Sequence, residues 1–91
     1  MKRYVIERDI PKVGSLTADQ LCEAARTSNS ALAKLGTDIQ WEHSYATADK
    51  TFCIYLAKNE AVIKRHAEIS GFPASKITPV SGIFDPTTAR D

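Results

Sequence analysis

His43 and His66 are the only imidazoles in this 91-residue chain, and Glu42 stands beside the first of them. Imidazole nitrogen combined with carboxylate oxygen is a donor set that suits nickel, zinc or manganese. Glu7 and Asp9 add oxygens of the same kind, although solvated charges at a strand end explain them more simply. A second group, Trp41, Tyr45, Cys53 and Tyr55, is aromatic with a single thiol and would suit a pocket for a small apolar molecule. Cys53 and His66 would act as a nucleophile and base only in hydrogen-bond contact. A cysteine packed as a small hydrophobe in a central strand is the plainer reading. The bland reading of His66 is a hydrogen-bonded residue where helix meets sheet, and that of His43 is a polar guard on an edge strand. No Gly-rich phosphate loop, nucleophile elbow or paired-carboxylate spacing picks out a hydrolase or phosphoryl-transfer enzyme.

Most of these residues fall in Ile39–Ala57, IQWEHSYATADKTFCIYLA, which reads as two strands joined by a polar turn at Ala46–Lys50. Arg3–Ile10 reads as an earlier strand, ended by Pro11 and Gly14. Between them, Thr17 with Gln20 forms a capping box, and Leu16 with Leu21 a hydrophobic staple. Leu21, Ala24, Ala25, Ser28, Ala31, Leu32 and Leu35 then follow helical spacing up to Gly36. After the hairpin, Asn59 caps a second helix that ends near Gly71. Its apolar side carries Val62, Ile63, His66, Ala67 and Ile69, which places His66 inward. Ile77–Phe84 reads as the last strand, and Pro79 confines it to a sheet edge or delays its start to Val80. Asp85–Asp91 reads as a turn and tail.

The order β-α-β-β-α-β is the ferredoxin-like split unit, here one domain over residues 1–91. The expected fold is α+β: a four-stranded antiparallel sheet, order 4-1-3-2, with both helices on one face. Strict alternation would point Trp41, His43 and Tyr45 one way and Gln40, Glu42 and Ser44 the other, separating Glu42 from His43 unless a bulge intervenes. On the facing strand Phe52, Ile54 and Leu56 alternate with Cys53 and Tyr55. Large side chains on both faces predict that the uncovered face meets a partner. A second copy related by a two-fold axis is the economical one, giving a homodimer built as an α/β barrel or sandwich.

A formal net charge of +1 with interspersed signs provides no broad field for nucleic acid or an anionic membrane. The run Lys64-Arg65-His66 lies within a helix and reads as a solvated face. Met1-Lys2-Arg3 starts like a signal peptide, but Glu7, Arg8 and Asp9 arrive in place of an apolar segment. Cys22 and Cys53 lie in different elements with no Cys-x-x-Cys spacing, so free thiols in a reducing cytoplasm are expected.

The pieces RYVIERDIP, WEHSY, DKTFCIY, RHAEISGFPASKI and DPTT, in this order, resemble a family of small bacterial ferredoxin-like proteins over almost the full length. That family is largely of unknown function and includes a nickel-binding protein from actinomycetes. The resemblance implies a dimer of ferredoxin-like subunits and binding of Ni2+ or another divalent metal, with no organic cofactor. Of the matching positions, His43 and His66 are the sensible nitrogen donors and Glu42 an oxygen donor. The expected function is therefore a non-catalytic, cytosolic metal-binding protein. Two alternatives stand beside it: a dimeric barrel enzyme of the monooxygenase or isomerase type, and a small-ligand-binding or interaction module.

Overall fold

Alternation along the first strand, β1 (Lys2–Asp9), turns Tyr4, Ile6 and Arg8 to a buried face and leaves Arg3, Val5 and Glu7 half-buried on the other. The computed structural model describes residues 1–90. After β1, a single 3-10 turn at Val13–Ser15 leads into the first helix, α1 (Ala18–Leu35). The hairpin follows as β2 (Ile39–Ala46) and β3 (Lys50–Ala57), then α2 (Glu60–Ser70) and β4 (Lys76–Pro79). The four strands form one antiparallel sheet in the order β2-β3-β1-β4, which is 4-1-3-2 seen from the opposite edge. The ferredoxin-like architecture thus stands as the element order foretold.

Both helices begin where side-chain chemistry starts them. Thr17 Oγ1 accepts from the Gln20 N–H at 3.2 Å, while Gln20 Oε1 accepts from the Thr17 N–H at 2.9 Å. Asn59 Oδ1 accepts from the Val62 N–H at 3.1 Å. Gly36 ends α1 at φ 68°, where a Cβ would be strained. Gly14 is required for space, because a Cβ there would lie 2.6 Å from the Thr47 carbonyl oxygen in the β2–β3 turn. That close approach, with the Gly14 N–H donating to the Ala48 carbonyl at 3.0 Å, seats the turn of the hairpin against the 3-10 turn that precedes α1.

The core lies between helices and sheet. Tyr4, Ile6, Ile39, Cys53, Tyr55, Ala57 and Ile63 form one buried cluster, with Leu32, Leu35, Trp41, Val62 and Ile77 packed against it. β4 differs from the reading of Ile77–Phe84: it begins at Lys76 and ends at Pro79, which pairs with Tyr4. The Val80 N–H still donates to the Arg3 carbonyl at 2.9 Å, but the antiparallel register then runs off the start of β1 and gives later residues no ladder to join. As expected of a strand containing proline, β4 is at a sheet edge. No described helix is long and apolar enough to cross a membrane.

Candidate functional site

One irregularity decides where the chemistry-bearing side chains go. Trp41 pairs with Tyr55 and His43 with Ile54, so two consecutive residues of β3 face three of β2, and Glu42 is the extra residue of a β-bulge. The bulge breaks the alternation across β2. Trp41 and Ser44 share the inner, helix-covered face with Tyr55 and Cys53, while His43 and Tyr45 lie on the outer face with Ile54 and Phe52. The grouping of Trp41 with His43 and Tyr45 is therefore corrected, as is the separation of Glu42 from His43.

On the outer face, Glu42 and His43 line one shallow groove of about 260 Å³ together with Arg3, Tyr45, Val80 and Ile83. Arg3 Nε donates to Glu42 Oε1 at 2.7 Å. That hydrogen bond holds the Glu42 carboxyl below its ordinary pKa and raises that of Arg3. The His43 ring stands edge-on to Tyr45, with Nε2 3.2 Å from the phenol oxygen. Glu7 and Asp9 are drawn to lysines instead: Lys50 Nζ lies 3.3 Å from Asp9 and 4.0 Å from Glu7. Among the described residues, no three or more histidine, cysteine, aspartate or glutamate side chains gather as a metal cage. Glu42 and His43 alone place a carboxylate and an imidazole on one surface.

His66 is elsewhere. It is fully buried on the inner face, on the far side of the sheet from His43, and the two do not meet. Its Nε2 is 3.1 Å from Ser28 Oγ, which is in turn 3.4 Å from the Tyr55 hydroxyl. Its Nδ1 is buried without a partner among the described residues. Burial first, and the Arg8 charge second, push its pKa down to about 4, so the ring is neutral near pH 7. Burial also raises the pKa of Tyr55, against the Ser28 hydrogen bond and the Arg8 charge that lower it. Cys53 Sγ lies 3.5 Å from Thr51 Oγ1 rather than on the imidazole, so no thiol–imidazole pair forms. Both cysteines are free, Cys22 exposed and Cys53 buried.

Beneath the first half of α1 lies a cavity of about 350 Å³. Of the four residues expected to line a pocket, Trp41, Cys53 and Tyr55 do so, whereas Tyr45 is on the outer face and 61% exposed. Trp41 stacks with Tyr55 at 6.4 Å between ring centroids, and its Nε1 donates to Ser44 Oγ at 2.9 Å. Sequence reasoning missed Arg8, a cavity-lining cation that is only 3% exposed. The signal was present, because Tyr4, Ile6 and Arg8 alternate onto the buried face.

A family model described as "Nickel responsive protein SCO4226-like" matches residues 4–80. No curated protein matches the chain. The crystal structure of SCO4226 from Streptomyces coelicolor A3(2) superposes with a TM-score of 0.75 at 16% identity, covering 90% of this chain and 99% of that one. At that identity the superposition speaks for the fold alone, while the sequence match spans most of the chain. The protein belongs to the SCO4226-like family of nickel responsive proteins.

Proposed function

We propose that this protein is a non-catalytic binder of a divalent metal of the nickel type, acting as a cytosolic homodimer packed through the outer sheet face. The observation that carries this reading is the bulge at Glu42, which brings a carboxylate and an imidazole to one groove on the face that no helix covers. Two donors per protomer make a half-site, and a two-fold copy of the same face would complete four ligands, two imidazoles and two carboxylates. Nitrogen and oxygen donors in that number suit nickel and zinc. The family's description as nickel responsive supports the choice of ion. Arg3 competes for Glu42, so metal binding must displace a salt bridge. His66 has no part in this site, because its ring is buried behind the sheet.

Calorimetric titration of tag-free protein with nickel tests the proposal. Micromolar binding at one ion per two chains is expected, lost in His43→Ala and kept in a folded His66→Ala variant. Binding no tighter than about 1 mM, equivalent to roughly 4 kcal/mol, would remove the metal reading.

A further inference from the structure

Among the described residues, Arg8 has no acidic partner. Its Nη1 donates to the carbonyl oxygens of Pro73 at 2.8 Å and Phe72 at 3.3 Å, and its Nη2 is buried with no partner. The guanidinium carbon sits 6.0 Å from the centre of the Tyr55 ring, a cation–π contact that offsets part of the cost of burial. No described carboxylate forms a salt bridge to it. A positive charge is thus held out of water without a counter-charge among the described residues, an arrangement that ordinarily destabilises a fold.

The space beside it is suited to the missing charge. Arg8 lines the cavity under α1, whose other walls are mainly apolar and include the stacked Trp41 and Tyr55 rings and Ala25 of α1. Ser44 and Thr51 add hydroxyls. At roughly 30 Å³ for each water-sized unit, about 350 Å³ accommodates on the order of a dozen non-hydrogen atoms. An anion that fits must therefore carry an apolar body, which inorganic phosphate or sulfate lacks. We infer that this cavity binds a small organic monocarboxylate, its carboxylate paired with Arg8 and its apolar or aromatic body against Trp41 and Tyr55. Guanidinium and carboxylate form a strong, charge-assisted pair, and Arg8 on the cavity wall has no such partner among the described residues. The site is on the opposite side of the sheet from Glu42 and His43, so it is independent of the metal reading.

Trp41 is the only tryptophan, and its fluorescence reports directly on the cavity. Titration with phenylacetate, and separately with 4-methylpentanoate, is expected to give a saturable change for at least one, with a dissociation constant below about 1 mM. The matching neutral amide should bind at least tenfold more weakly. Arg8→Met, which keeps the apolar stem and removes the charge, should lose at least tenfold. Ala25→Phe, which fills the cavity from α1, should abolish the response with Arg8 intact, and His43→Ala should leave it unchanged. Equal binding of acid and amide, a folded Arg8→Met variant that binds like the wild type, or no saturable response to either acid up to about 10 mM would each overturn the inference. Should Arg8→Met fail to fold, the acid–amide comparison and Ala25→Phe still decide it.

Discussion

Single side chains on the inner face set how this fold responds to acid. His66 is enclosed by Ser28 of α1, the Tyr55 ring 5.3 Å away on β3, and the Arg8 charge on β1. Its folded pKa of about 4 lies below the ordinary 6.5, so the native state binds fewer protons than the unfolded chain between those values. The stability it contributes is complete above about pH 6.5 and is lost as pH falls toward about 4, in all about 3 kcal/mol. Urea unfolding of the wild type should therefore weaken across that window. In His66→Gln, which keeps hydrogen bonding without titrating there, this part of the slope should vanish; identical slopes would show that another group governs the acid response. On the outer face, Arg3→Ala removes the hydrogen bond that lowers the Glu42 pKa. A carboxyl titration followed by NMR should move Glu42 back toward its ordinary value, and nickel affinity should rise once the competing guanidinium is gone.

Elements here were readable to the extent that their signals are local. The capping box at Thr17 and Gln20 works within one turn of helix, and both hydrogen bonds are formed. Thr17→Ala should cost about 1 kcal/mol, measurable in chemical unfolding. Gly14 carries a non-local constraint, because what forbids a Cβ is the Thr47 carbonyl across the chain. Gly14→Ala should destabilise by about 1–3 kcal/mol and loosen the contact between the hairpin turn and the 3-10 turn at Val13–Ser15. An unchanged unfolding midpoint would mean that this approach relaxes freely. The bulge at Glu42 and the end of β4 at Pro79 were illegible for the same kind of reason. Each depends on the register against a neighbouring strand, and residue types along β2 or β4 alone do not specify it.

At the scale of the molecule, the two faces of the sheet differ in what covers them. The inner face meets α1 and α2, whereas the outer face carries Val5, Phe52, Ile54 and Leu56, all only half-buried, with Tyr45 and Ile83 exposed around them. A face with this much uncovered apolar surface is suited to a partner, and the dimer proposed above would bury it. Light scattering at micromolar concentration should return twice the chain mass of 10.0 kDa. Ile54→Glu, a charge at the centre of that face, should give a folded monomer that no longer binds nickel at one ion per two chains. A wild-type monomer would remove the shared site along with the dimer.

The amino-acid sequence by itself determined the order of elements, the helix starts and the inward placement of His66, because periodicity and capping act over a few residues. From these, right-handed connections left little freedom in the sheet order. It also carried the candidate residues themselves: Glu42, His43, Trp41, Cys53 and Tyr55 all line one of two concave surfaces. Only the tertiary structure decided which surface each one serves. One inserted residue in β2 set Trp41 inward and kept Glu42 beside His43 on the outside, and the sheet itself separated His43 from His66. Likewise, the charge on Arg8 was plain in the sequence, but its lack of a counter-charge among the described residues emerged only once the other strands and α1 were placed around it. Alternation assigns a side chain to a face; the neighbours it finds there are set by pairing across strands and by the space the helices leave.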